Sequence, residues 1–208
     1  MTTATGTLSV EARDGRRVTI SRRTRETDVT VTLDLDGEGT TSIETGVGFF
    51  DHLLSSLGHH GLFDIEIRAR GDLDVDEHHT VEDTVLVLGA AFAEALGERA
   101  GIVRFGDASV PMDESLATAV VDVGGRPYAV VDLPFRGERA GELPLQLVEH
   151  AIEAFARTAG ATIHVDGTGR NDHHLAEAAF KALGRALRAA CEPDPRRRGV
   201  ASTKGSLG

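Results

Sequence analysis

A chain of 208 residues with 40% apolar and 26% charged side chains can build one domain, or two small ones, around a real core. That balance excludes wholesale disorder, and a net charge of −11 argues against a general nucleic-acid binder. No run approaches the roughly 20 apolar residues of a membrane helix, the start Met1-Thr2-Thr3 is too polar for a signal peptide, and the lone Cys191 excludes an internal disulfide framework, so a cytoplasmic globular protein is expected.

The first clear element spans Val29 to Leu35, where Val29, Val31, Leu33 and Leu35 alternate with polar residues as in a strand with one buried face. Asp36-Gly37 reads as a turn, and Thr40 to Thr45 as the returning hairpin partner. Phe49 to about Gly58 reads as a helix, Phe63 to Ile67 as a strand, and the acidic run Asp72 to Glu77 as a loop favouring a helix N-terminus. Val81, Val85, Leu88, Phe92 and Leu96 then mark one face of a helix from His78 to Leu96. In the second half, Ile102 to Val110, Leu116 to Val123 and Tyr128 to Leu133 read as strands, with a turn at Gly124-Gly125. Leu145 to Arg157 reads as a helix, Ala161 to Val165 as a strand and Leu175 to Ala190 as a final helix. Allowing for a first strand that the pattern does not define, both halves spell β-β-β-α-β-α, which predicts an α/β fold of two halves, 1–98 and 99–208, packed together without a linker.

Residues repeat along with the elements. His78-His79-x-x-Glu82 with Leu88-Gly89 aligns with His173-His174-x-x-Glu177 and Leu183-Gly184 at one constant offset. Asp51-His52 aligns with Glu149-His150 at a slightly longer offset, as a length change in the intervening loop allows. An ancestral duplication is the economical reading.

On a helix, positions i and i+4 share a face, so His78 with Glu82, and His173 with Glu177, can each meet one metal ion. His79 and His174 sit about 100° further round their helices and suit a different metal. Two sites related by the repeat are therefore expected. One takes His78, Glu82, His150 and His174; the other takes His173, Glu177, His52 and His79. Three imidazoles and a carboxylate without thiolate suit a first-row divalent ion with positions left for substrate. A lone pair of this kind often only bonds across a solvated face, but two copies with matching upstream histidines favour metal. His164 and His59 read as structural or exposed, and His60 as either a helix-end residue or a pocket residue. The tail from Arg196 to Gly205 holds four cations and two hydroxyls; Ser202, Thr203 and Lys204 suit a phosphate, although composition alone favours a solvated terminus. Arg104 and Arg126 read as ordinary charges, and Glu26 as a balance for the arginines around it.

Arg22-x-Thr24-x-Glu26-Thr27, Gly48-Phe49-Phe50-Asp51-His52-x-Leu54, His78-His79-Thr80-Val81-Glu82-Asp83, Pro111-Met112-Asp113-Glu114, the second HHxxE with Phe180-Lys181-Ala182, and Ser202-Thr203-Lys204-Gly205 together resemble the imidazoleglycerol-phosphate dehydratases of histidine biosynthesis. The resemblance spans nearly the whole chain after residue 10. It implies four-stranded sheets with helices on one face, like domain 2 of ribosomal protein S5, and a 24-subunit homo-oligomeric shell with active sites at subunit contacts. It also implies two Mn²⁺ per active site and a small phosphorylated imidazole substrate bound by Glu26, His52, His60, His78, Arg104, Arg126, His173, Ser202, Thr203 and Lys204, without nucleic acid or membrane partners. A form without a fused phosphatase domain is expected. In the implied reaction, imidazolate expels the neighbouring hydroxyl to give a diazafulvene-like intermediate, and a carboxylate or a hydroxide on the metal removes the next proton. Glu26 is the candidate acid/base. A dinuclear hydrolase and a metal-storage shell are the rival readings.

Overall fold

The computed structural model describes residues 6–207, so the polar start Met1-Thr2-Thr3 lies outside the described residues. The first half contains β1 (Leu8–Asp14), β2 (Arg17–Arg23), β3 (Thr27–Asp34), β4 (Thr41–Glu44), α1 (Gly48–Gly61), β5 (Asp64–Gly71) and α2 (His78–Leu96). The second contains β6 (Phe105–Met112), β7 (Ser115–Asp122), β8 (Tyr128–Asp132), the short β9 (Arg139–Ala140) and β10 (Leu143–Pro144), α3 (Gln146–Ala159), β11 (Thr162–Thr168) and α4 (Asp172–Cys191).

The two large sheets run β1-β2-β3-β5-β4 and β6-β7-β11-β8. Without β1 the orders are the same, first-second-fourth-third, so each half is the expected four-stranded unit and the first sheet gains an added edge strand. Alternation marks β3 as a half-buried strand; β1 also alternates, Leu8, Val10 and Ala12 with Ser9, Glu11 and Arg13, but as an edge strand it is mostly exposed. The strand left undefined by pattern is β2, which buries Val18 and Ile20.

Thr40 to Thr45 is not the hairpin partner of β3. β4 pairs in parallel with β5, and β5 pairs antiparallel with β3 from Thr27↔Gly71 to Asp34↔Asp64. The reason lies in the loop and in the apolar supply. The Asp64 carboxylate accepts hydrogen bonds from the Glu38 and Thr40 amides at 2.9 and 2.8 Å, which carries the chain past β3. β5 offers Ile65, Ile67 and Ala69 to the core, whereas β4 has only Ile43. The central position goes to the more apolar strand. Element ends also moved. α1 runs a turn beyond Gly58 to a left-handed Leu62, and α4 starts at Asp172 because the Asn171 side chain caps the His173 and His174 amides. The strand expected from Ile102 begins only at Phe105, after Arg104 turns the chain with φ 79°.

The helices meet between the sheets, α2 against α3 and α1 against α4. The repeated Leu-Gly motifs explain both crossings. A Cβ on Gly89 would lie 2.6 Å from the Phe155 carbonyl oxygen of α3, and one on Gly184 would overlap the Leu57 carbonyl oxygen of α1. Each crossing brings an upstream histidine to an HxxxE pair.

Candidate metal centre and anion site

Two trios result. In one, α1 supplies His52, and α4 supplies His173 and Glu177; in the other, α3 supplies His150, and α2 supplies His78 and Glu82. In each trio the potential ligand atoms lie within 4.8 Å of one another. In the first, Glu177 Oε1 faces both imidazoles, 2.9 Å from His52 Nε2 and 2.8 Å from His173 Nε2. Its other oxygen lies 2.7 Å from Lys181 Nζ. Burial would raise the Glu177 pKa, but Lys181, His52 and His173 outweigh it and hold the carboxyl at about 2. In the second trio Glu82 Oε1 lies 3.0 Å from Arg157 and 3.6 Å from His150 Nε2, and the His78 and His150 rings are 4.8 Å apart.

The donor sets fit a metal. His150 Nε2 is shielded from solvent and has no hydrogen-bond partner among the described residues, a costly state for a polar nitrogen unless it serves as a ligand. Two imidazoles converging on one carboxylate oxygen also describe ligands gathered round a common point.

His79 and His174 join neither trio of this chain. Their rings stand at 87° and 82° to those of His78 and His173, and the adjacent helical positions point about 100° apart. Each is instead held at Nδ1 by a carboxylate, His79 by Asp72 at 3.1 Å and His174 by Glu114 at 3.0 Å. That leaves Nε2 as the free nitrogen of each ring, the arrangement of a metal-ligating histidine with its outer partner in place. The Asp72 bond raises the His79 pKa despite desolvation, with a further contribution from nearby Glu26. Glu114 is held at about 2, chiefly by its hydrogen bond to His174. The acidic loop before α2 thus does more than favour the helix start: Asp76 accepts from the His78 amide at 2.8 Å, while Asp72 orients a histidine. Sequence reasoning missed Asp72 and Glu114 as orienting groups. The motif Pro111-Met112-Asp113-Glu114 carried the second without revealing its partner.

Glu26 is exposed in the β2–β3 turn and does not balance the arginines: Arg22 pairs with Asp83, and Arg23 with Asp28 at 3.6 Å. His60, on the last turn of α1, has its pKa lowered by partial burial and then by His59, Lys181 and Arg185. His59 and His164 are exposed.

The tail is laid against the start of the second half, where Gly101 N–H bonds to Gly199 O at 2.9 Å and Ala100 bridges to Val200. Ser202, Thr203 and Lys204 there line a cleft of about 350 Å³ with Arg104 and Arg126. Arg104 is fixed by two bonds to Asp122, 2.7 and 2.8 Å, and bonds to Ala201 O. Gly124 is required beside it, since a Cβ would lie 2.6 Å from its guanidinium. Arg126 is 65% exposed, with Asp122 at 3.6 Å, and Lys204 forms no ion pair among the described residues, so both cations face solvent in a cleft suited to an anion.

Residues 45–187 match the family model for imidazoleglycerol-phosphate dehydratase. The chain belongs to that family of hydro-lyases. The imidazoleglycerol-phosphate dehydratase of Methanoculleus marisnigri is 55% identical over 188 residues, covering 90% of this chain and 97% of that relative. The Gluconacetobacter diazotrophicus dehydratase is 53% identical over 194 residues, with 92% and 98% covered. The crystal structure from Pyrococcus furiosus matches with a TM-score of 0.78 at 38% identity, and covers 90% of this chain and 99% of its own. That from Staphylococcus aureus matches at 0.75 and 32%, with the same coverage.

Proposed function

We propose that this chain dehydrates imidazoleglycerol phosphate to imidazole acetol phosphate in histidine biosynthesis. The observation that carries the reading is the pair of equivalent trios, His52-His173-Glu177 and His78-Glu82-His150, built by the same crossing in each half of a dehydratase-family fold. The halves are read as pseudo-repeats 1–98 and 99–208.

The trios would hold two Mn²⁺ per active site, and each set lacks the fourth ligand that His79 or His174 can supply. Because those two face away from the trios of their own chain, the sites are completed between copies of a homo-oligomer. The exposed Phe105, Leu116, Val120, Tyr128 and Val130 on the outer face of the second sheet support such an assembly, which we read as the 24-subunit shell. When bound, the metal ions supply Lewis acidity that favours the deprotonated imidazole ring. The chain's own residues do the rest. Asp72 and Glu114 hold His79 and His174 in orientation. Arg126, Lys204 and the Ser202 and Thr203 hydroxyls anchor the phosphate, with Arg104 as their fixed wall. His60 lines the substrate side of α1. Glu26, a carboxylate near His79 and without an ion pair among the described residues, takes the proton from the carbon next to the departing hydroxyl, and the resulting enol becomes the ketone. The protein is read as cytoplasmic.

The test is formation of imidazole acetol phosphate by metal-stripped, correctly assembled protein with and without added Mn²⁺. Turnover that appears only with the metal is expected. Its absence from metal-loaded protein would overturn the reading, and phosphate release from sugar phosphates would replace it with hydrolysis.

A further inference from the structure

Glu26 is presented by a short exposed turn, a poor support for a group that must meet a reacting carbon. The turn is not left to itself. Thr24 Oγ1 accepts hydrogen bonds from the Glu26 amide at 3.0 Å and the Thr27 amide at 2.9 Å. With both lone pairs used, its own hydrogen is directed to Thr27 Oγ1, 3.0 Å away. Thr27 in turn donates to Asp83 Oδ2, and the other Asp83 oxygen pairs with Arg22. Because the carboxylate only accepts, the order of donors along the chain is fixed.

We infer that Thr24, Thr27 and Asp83 are positioning residues that set the Glu26 carboxylate relative to His79. Thr27 and Asp83 are buried, at 4% and 7% exposure. Asp83 stands one turn beyond His79 and next to Glu82 on α2, so the turn is registered to the helix that carries the metal ligands. A local hydroxyl turn needs Thr24 alone, and the link to a buried, ion-paired carboxylate adds nothing to it. Replacing such a pair by apolar residues of the same volume is often neutral for stability, which favours a role in specifying position.

The inference rests on Glu26 as the acid/base, and the experiment separates the two in a double-mutant cycle of Thr24→Val and Glu26→Gln, with Thr24→Ser as the conservative control. Thr24 is only partly buried, so these variants are expected to fold. Thr24→Val should lower kcat at least about tenfold with KM within about twofold and bound metal unchanged, while Thr24→Ser stays near the parent. In the Glu26→Gln background Thr24→Val should cost nothing further. Hydrogen exchange should quicken at the Glu26 and Thr27 amides and not elsewhere. Parent-like kcat in Thr24→Val, or the same loss in both backgrounds, overturns the positioning role alone. Parent-like turnover in Glu26→Gln overturns the acid/base reading and the positioning role with it.

Discussion

Replacing Gly89 by alanine tests whether the repeated Leu-Gly motif exists to let helices cross. Two effects oppose each other. Alanine in mid-helix gains about 1 kcal/mol over glycine from backbone entropy alone. The added Cβ, however, would lie 2.6 Å from Phe155 O and 3.0 Å from Ala159 N, and would overlap the Thr158 hydroxyl, where ordinary contact begins near 3.4 Å. Thr158 can rotate away, but the other two atoms are α3 backbone, so α2 and α3 must separate by several tenths of an ångström. Overpacking of this kind costs about 1–3 kcal/mol, which outweighs the propensity gain at all but its lowest value. The net loss is then up to about 2 kcal/mol, which corresponds to a Tm lowered by up to about 8 °C in a chain of this size. The metal-free protein, followed by circular dichroism on heating, gives that number. Thr158→Ala added to Gly89→Ala should recover only part of the loss, because the backbone contacts remain. Since α2 carries His78 and Glu82 and α3 carries His150, manganese titration should also show that trio weakened and His52-His173-Glu177 unchanged. A Tm above the parent's would show slack in the crossing and refute the argument.

His150→Ala should reduce bound manganese to about half, measured by metal analysis after dialysis, because it removes one trio and leaves the other. Lys204→Ala or Arg126→Ala should raise KM about 10- to 100-fold with a smaller effect on kcat, as expected for one charge-assisted hydrogen bond to phosphate, and should weaken inhibition by inorganic phosphate in step. For the metal-free protein, the Glu177 carboxyl is depressed from 4.5 to about 2 in the fold, so its contribution is complete above pH 4.5 and is lost as pH falls toward 2. Denaturant titrations across that window should show the parent losing about 3 kcal/mol that Glu177→Gln does not lose. Parallel curves for the two proteins would show that Lys181, His52 and His173 do not hold the carboxylate.

Much of the site was legible because its spacing is local. The i, i+4 pairs His78-Glu82 and His173-Glu177 follow from helical periodicity, and the divergence of His79 and His174 follows from the same geometry. The β3 strand, both long helices and the doubled topology followed from alternation and repetition. What pattern could not show was pairing between distant residues. Glu26 looked like a counter-charge for its neighbours because sequence displays only neighbours; Arg22 had a better partner in Asp83, far along the chain. Likewise the tail looked solvated from composition, although its backbone bonds to Gly101 and Arg104 draw it into a cleft.

The amino-acid sequence by itself determined β3, the four helices, the doubled order of elements and the two i, i+4 His-Glu pairs, since each is written in intervals of two, four or one repeat length. Only the tertiary structure decided that β4 lies beyond β5, that β1 adds an edge to the first sheet, and that Asp72 and Glu114 hold His79 and His174 at Nδ1. Those outcomes depend on which apolar faces pack together and how closely the backbones approach at Gly89 and Gly184, quantities that arise only when distant segments compete for the same space.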